Sequence, residues 1–594
     1  MRTYPGVDQA QRWRLLVIAL ALTTFAGLIL QRLVWYQITD RAHFAALADA
    51  EHQQRRPLAA SRGALLDAQG RPIALNVMYN AVYVYRPEMT NVERVATTLS
   101  TAVGMPKEDV LRRIQEADTH WQLVAARLPA NASTQISAAR LPGVELRSLP
   151  AREYPEGSLA AQVLGFVGAD GGGLSGLELT LEEELGGKAG IIITEGDTVG
   201  GEIAIGRKEL VPPVPGSDVV LTIDRYTQRL AERELAKAVQ TNKATGGIVI
   251  VMEPSTGAIL AMATNPTFSL TADSPFDADR QQLYKPVAVT DTYEPGSVMK
   301  LMTAAAAIEE GVVTPNTPYR DVGVALVNGI PIRNWDGGAY GDVSVRQILV
   351  YSLNTGAQWI AGLLGPERFY KYMDAFGFGA PTGIKLNGEA AGAYRRPADS
   401  GWSQLDLATN SYGQSISVTP LQMITAIAAL GNHGVLMQPQ IVREIRKADG
   451  VHRVEPRPVR AVVSPATAET MLDMMGSVWR QPSLEPLRIE GYKLAAKSGT
   501  ADIPAPNGYS TGKTYASFVG FVPSPNPKVA ILVRIDRPEA LYGGVAAAPV
   551  FRAIANDLLT YLQVAPTEVR ITATATRPTD SSNTATPTDS QSGR

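Results

Sequence analysis

Cysteine is absent from the 594 residues. That excludes disulfides, thiolate-bound zinc, iron–sulfur clusters and thiol nucleophiles. Histidine is scarce. His43, His52, His120, His433 and His452 are the whole set, and none has a His or Glu partner at metal-site spacing. The sequence therefore argues against a zinc hydrolase, and no metal or cofactor site is expected. A Ser-His-Asp triad requires one of these scattered histidines to fold into place, so the base of any enzyme here is expected to be another residue. Net charge is also nearly absent, at −2. Without a basic footprint there is no electrostatic case for nucleic-acid binding. The chain shows no internal repeat.

Long apolar runs are missing too, with one exception. Leu15–Leu30 reads LLVIALALTTFAGLIL without a charge, and apolar character continues to Trp35 and Tyr36. A span of 15–36 at ~1.5 Å per residue matches the thickness of a bilayer core. Trp13 and Trp35 bracket it as interfacial anchors. Arg2, Arg12 and Arg14 precede it, which predicts a cytoplasmic tail over 1–14 and an exported remainder. Arg32 near the far end is expected to snorkel. A cleaved signal peptide is the alternative, but the run is long for one and no small-x-small site follows it closely. Gly27 and its small neighbours permit close helix packing.

About 45% of the residues are apolar and 19% charged, a composition able to bury a large core. The length predicts several domains. From 37 to 215, short strands such as Asn80–Tyr85 alternate with helices such as the one near Glu93–Val103, interrupted by Gly and Pro. Val211–Gly216 (VPPVPG) reads as a linker. A second domain is expected over 216–565. It opens with a strand at Asp218–Ile223 and a helix at Arg225–Val239, followed by a hairpin. The hairpin joins Gly246–Met252 to Ala258–Ala263 through Glu253-Pro-Ser-Thr-Gly257. The tail 566–594 is rich in Thr, Ser, Asp and Pro and is expected to be disordered.

Three short elements carry candidate chemistry. Tyr293–Lys300 reads YEPGSVMK and opens an alanine-rich helix, Leu301–Glu310. Pro295 and Gly296 suit a tight helix entry, which places Ser297 in the first turn and Lys300 on the same face. The Ser297 amide then lies at a positive helix end, available to an oxyanion. Burial of the helix would lower the pKa of Lys300 and let it take the serine proton. Ser-x-x-Lys recurs at Ser510–Lys513, so the pattern alone is weak. The second element is Ser352-Leu353-Asn354, between two helical stretches. Alone it reads as a cap or turn. The third is Lys497-Ser498-Gly499-Thr500, read as a strand whose glycine lets a ligand approach the backbone. Taken alone it is a strand ending at a turn.

The joint order carries more weight than any one element. Serine–lysine, serine–asparagine and lysine–glycine follow one another at separations of 55 and 145 residues. This trio resembles that of the penicillin-binding proteins and class A β-lactamases. Ser-Leu-Asn stands for Ser-Asp-Asn and Lys-Ser-Gly for Lys-Thr-Gly, which argues against the β-lactamase branch. The resemblance is to class B penicillin-binding proteins over most of the chain. Its further blocks are Arg62-Gly63 with Leu65, Asp67 and Gly70; Arg152, Tyr154 and Pro155; Gly176-Leu177-Glu178; Leu221–Asp224 with Gln228; Ser411–Gln422; and Ala516–Pro523. Nothing upstream resembles a glycosyltransferase. Ala408–Gln414 and Tyr542–Phe551 look more like the septal, cell-division branch than the elongation branch.

The resemblance implies an α+β multidomain chain. Its parts are a membrane anchor, an elongated pedestal and a transpeptidase domain with an antiparallel sheet flanked by helices. It implies a D,D-transpeptidase that cross-links peptidoglycan stem peptides through an acyl-enzyme on Ser297. Lys300 acts as base, and Ser352, Asn354 and Lys497 assist. Ser498, Gly499 and Thr500 hold substrate and oxyanion. β-Lactams are the implied covalent inhibitors. A polytopic SEDS-type glycan polymerase and other division proteins are the implied partners. A carboxypeptidase, a β-lactamase, and a non-catalytic scaffold or sensor are the competing readings.

Overall fold

The computed structural model describes residues 8–44, 53–117, 121–195, 208–271, 278–505 and 508–568. The first seven residues of the expected tail and most of the Thr/Ser/Pro segment lie outside them. The chain leaves the domain later than the expected boundary at 566. Lys493 N still donates to Thr567 Oγ1 at 2.6 Å, and Thr567 N donates to Gly491 O at 2.9 Å.

A helix runs over Gln9–Val34 and continues in a wider turn over Trp35–Thr39. Its 31 residues have a mean hydropathy of 2.1 in their most apolar window. None of its residues is buried among the described residues, which fits a single-pass anchor. Arg32 Nε donates to Tyr36 Oη at 2.9 Å. Its charge is therefore met one turn on, at the interfacial end.

The next domain is built on the long strand Pro72–Val84, flanked by Gln122–Leu128 and Val144–Glu153. Helices Val92–Val103, Lys107–Glu116 and Ala130–Ala139 cover it. Val82, Val84, Leu99, Val110 and Ile114 form their common core. A buried ionic knot ties this domain together. Glu178 is fully buried. Arg62 Nε donates to its Oε2 at 2.6 Å and Arg152 Nε to its Oε1 at 2.7 Å. Arg62 also donates to the Glu178 carbonyl, and Arg152 to Gly63 O. These arginines and this glutamate, spread over more than 100 positions of sequence, share one set of charges.

The proline-rich run differs from the free linker its composition predicts. Val211 closes the strand Lys208–Val211, which pairs with Gly190–Glu195. Val214 exchanges two backbone hydrogen bonds with Lys188, and Gly216 N donates to Ser61 O. The next strand, Asp218–Leu221, pairs with Leu65–Leu66 on one side and Val442–Lys447 on the other. One sheet thus crosses from the pedestal into the following domain.

That domain has a five-stranded antiparallel sheet in the order Ile259–Asn265, Gly246–Met252, Val529–Asp536, Gly508–Val522, Ala495–Ala505. The predicted hairpin is its first pair. Strand alternation divides Gly246–Met252 between two cores. Val249 and Val251 face helices Arg225–Thr241 and Ala548–Tyr561, whereas Ile248, Ile250 and Met252 face the helical half. There, Lys300–Glu309 is the central helix, and every residue from Lys300 to Ala307 is buried. Ala495–Ala505 is left as an edge strand.

Replacing Glu178 by alanine leaves the buried Arg152 guanidinium without a carboxylate, while Arg62 keeps only Glu182. The expected loss is about 3–5 kcal/mol of unfolding free energy, read from denaturant unfolding of the purified chain. A loss below about 1 kcal/mol would mean that the knot does not hold the domain together.

Candidate active site

The three sequence elements meet at the edge strand. Gly296–Val298 forms a 3-10 turn and Lys300 begins the α-helix. Side chains three apart eclipse in a 3-10 turn, and Lys300 Nζ lies 2.9 Å from Ser297 Oγ. Among the described residues, the Ser297 N–H donates to no acceptor, as befits a first helical turn.

The helix Val345–Tyr351 starts with a capping box at Ser344 and Gln347. Ser352 ends it in the left-handed region, at φ 59° and ψ 43°. That conformation costs a non-glycine residue on the order of 1 kcal/mol or more. It turns the chain so that the Ser352 carbonyl, the Ser352 hydroxyl and Asn354 all reach Lys300. Nζ lies 2.6 Å from Ser352 O, 2.8 Å from Asn354 Oδ1 and 3.3 Å from Ser352 Oγ. From the strand side, Lys497 Nζ lies 3.0 Å from Ser352 Oγ and 2.9 Å from Ser498 O.

The partners of Lys300 accommodate either charge state, and burial favours the neutral one. Asn354 Nδ2 donates to Arg333 O at 3.0 Å, which fixes the amide with Oδ1 toward the lysine. Asn354 Oδ1 and Ser352 O can only accept, so they take two N–H bonds from Nζ. A neutral amine has two N–H bonds and one lone pair, and the lone pair then points to the Ser297 hydroxyl. Lys300 and Lys497 are each 1% exposed. Burial, and then the charge of Lys497, hold Lys300 well below the ordinary lysine range. Burial alone brings Lys497 to about 7.

Ser498 and Gly499 stand beside Lys497 on the strand, and Thr500 Oγ1 accepts from Gly543 N at 3.2 Å. Ser498's hydroxyl has no partner among the described residues. Two expectations change. The strand does not end at Thr500 but stays paired to Ala505. Gly499 is small because of the protein rather than a ligand. A Cβ there would lie 2.4 Å from Ser517 Oγ and 2.8 Å from Val298 Cγ2. Gly413, within the Ser411–Gln422 block, serves the same turn. Its φ is +83°, and a Cβ would lie 2.2 Å from Gly296 O. The Ser297 turn is thus clamped between two backbones.

Sequence reasoning missed the support behind Asn354. Asn334 Oδ1 accepts from Asn354 N at 3.1 Å, and Asn334 Nδ2 donates to Asp321 Oδ2 at 2.9 Å. Thr355 Oγ1 donates to Asp321 Oδ1 at 2.7 Å. Asp321, Asn334 and Thr355 are all buried. No spacing rule links them, because Asp321 and Asn334 belong to a separate insertion of short strands.

Comparison with known proteins fits this geometry. Residues 247–556 match the model of the penicillin binding protein transpeptidase domain. Residues 57–221 match that of the penicillin-binding protein dimerisation domain. The chain belongs to the penicillin-binding protein transpeptidase family. Stage V sporulation protein D of Bacillus subtilis is 31% identical over 569 residues, covering 94% of this chain and 87% of that protein. Peptidoglycan D,D-transpeptidase FtsI of Escherichia coli is 29% identical, covering 93% and 92%. Among solved structures, penicillin binding protein 3 of Mycobacterium tuberculosis complexed with aztreonam is similar at a TM-score of 0.67 and 27% identity. That match covers 86% of this chain and 98% of the solved one. A peptidoglycan synthetase from Bifidobacterium adolescentis gives 0.70 and 26%, covering 87% and 98%. This penicillin-binding protein therefore has the two-domain plan of its relatives, with the lysine–serine cluster inside the matched transpeptidase domain.

Gly413→Ala is expected to cost on the order of 2–3 kcal/mol through the forced clash and the positive φ, seen as a lowered melting temperature. Gly544→Ala, with nothing within 4 Å of its Cβ, should leave it unchanged. Equal melting of the two variants would contradict the clamp.

Proposed function

We propose that this protein is a membrane-anchored D,D-transpeptidase that cross-links peptidoglycan stem peptides through an acyl-enzyme on Ser297. The observation that carries the reading is the buried Lys300 amine held 2.9 Å from the Ser297 hydroxyl. The matches to FtsI and to transpeptidase domains support the substrate class.

Ser297 Oγ forms a bond to the carbonyl carbon between the two terminal D-alanines of a donor stem, and its proton passes to Lys300 Nζ. The oxyanion is held by the Ser297 amide and by the Thr500 amide on the edge strand. Collapse breaks the C–N bond. The leaving D-alanine takes the Ser352 hydroxyl proton, which Lys300 replaces across 3.3 Å with Lys497 beside it, so that Lys300 is again a free amine. Lys497 and Ser498 receive the terminal carboxylate, and Asn354 holds Lys300. The amine of a neighbouring stem then attacks the ester and gives its proton to the amine of Lys300, and Ser297 Oγ leaves reprotonated. β-Lactams enter by the same first step and remain attached.

The domain plan follows: a cytoplasmic tail over 1–14, the anchor over 15–36, the pedestal to 215, and the catalytic domain outside the membrane. The arginines before the anchor support that orientation. The blocks at Ala408–Gln414 and Tyr542–Phe551, with the match to FtsI, favour septal synthesis beside a SEDS-type polymerase and other division proteins.

Mass spectrometry after incubation with benzylpenicillin tests the reading. A stable adduct on the Ser297 peptide is expected, and none in Ser297→Ala. Rapid loss of the adduct would favour a hydrolase; no adduct in folded protein would favour a scaffold. The second-order acylation rate should be bell-shaped in pH. It falls on acidification as Lys300 gains a proton, and falls again above about 7 as Lys497 loses the charge that meets the carboxylate. A flat profile across this range would rule out these assignments.

A further inference from the structure

Glu294 lies three residues before Ser297 and takes no part in the chemistry above. It is 8% exposed. Its Oε1 accepts from Ser415 N at 2.9 Å and from the Tyr509 hydroxyl at 3.3 Å. Its Oε2 is buried and has no partner. Asp502, two residues beyond Thr500 on the edge strand, is close enough to act electrostatically on both Glu294 and Tyr509. Among the described residues no lysine, arginine or histidine pairs with either carboxylate. Two carboxylates, one of them buried and half-satisfied, sit beside a nucleophile without a counter-charge. This is costly unless the buried carboxyl takes up a proton or a cation arrives.

The direction of a bound donor decides which cation. Lys497 and Ser498 take the terminal carboxylate, and the Thr500 amide takes the scissile carbonyl. A peptide added antiparallel to this edge therefore runs backwards along Ala495–Ala505, toward Asp502. At ~3.3 Å per residue, the residue just before the scissile pair reaches Asp502. In a stem peptide that residue is the diamino acid.

We propose that Glu294 and Asp502 form a cation subsite for the side-chain ammonium of the donor's diamino acid, one that selects a bare ammonium, as in lysine or ornithine, over the ammonium-plus-carboxylate terminus of diaminopimelate. This rests on the transpeptidase reading. The ammonium reaches the pair by rotation of Tyr509, which is 45% exposed on the returning strand. It supplies the charge that the buried Oε2 lacks. A second carboxylate would meet two of its own sign and no cation. Burial, then partly the charge of Asp502, push the Glu294 carboxyl up to about 7, the direction expected of an acid waiting for a cation.

The test uses the full chain in detergent and three synthetic donor thioesters. They differ only at the diamino acid: lysine, Nε-acetyl-lysine and diaminopimelate. Acylation by the lysine donor is expected to be about tenfold faster than by either other donor, a difference of ~1.4 kcal/mol. In Asp502→Arg the order of lysine and diaminopimelate should reverse, a change that misfolding cannot produce. Equal rates for the three donors in the wild-type chain would overturn the subsite. So would no acylation by any of them in protein that still takes benzylpenicillin on Ser297. Loss of benzylpenicillin labelling itself would instead overturn the reading on which the subsite rests.

Discussion

The site depends on one buried amine. Lys300 opens a helix that is buried on every side for two turns, and an ammonium there would lack water and face the charge of Lys497. Two acceptors that cannot donate, Ser352 O and Asn354 Oδ1, take its two N–H bonds. A neutral amine then keeps its lone pair for the Ser297 hydroxyl 2.9 Å away. On the proposed reading this amine takes the part a histidine plays in other serine enzymes, in a chain that has few histidines and places none of those described at the site.

Much of the surrounding structure maintains that geometry. The central sheet gives the edge strand that carries Lys497. The left-handed backbone at Ser352 brings hydroxyl, carbonyl and asparagine to one point, a strain that a free helix end would relieve. Behind it, Asp321 and Asn334 hold the first backbone amides of the following helix. Gly413 and Gly499 let two backbones close on the Ser297 turn. The pedestal reaches the catalytic domain through a shared sheet, so the Pro-rich segment between them is fastened along its length.

The sequence disclosed whatever depends on local spacing. The helix after Ser297, the hairpin from Gly246, the anchor and the turn between Val345–Tyr351 and Asn354 were all readable, because period, capping and turn residues act over a few positions. Glu178 with its two arginines was visible only as family blocks, and nothing in their spacing spoke of a shared charge. Asp321, Asn334 and Asp502 carried no signal, since their roles come from contacts between distant segments. Gly499 shows a subtler failure. Its smallness was read as room for a ligand, whereas the neighbouring turn occupies that room. Val211–Gly216 has the composition of a linker, yet its carbonyls and amides found partners in the pedestal.

The central claim is that Lys300 is neutral when the enzyme is ready to react. Its side chain can be followed by NMR of protein carrying lysine labelled with carbon-13 at Cε, assigned by comparison with Lys300→Arg. The account predicts a Cε shift characteristic of a free amine near neutral pH, moving to that of an ammonium only on acidification, well below the ordinary lysine range. An ammonium signal that persists to pH 9 would contradict it, and the proton of Ser297 would then need another acceptor.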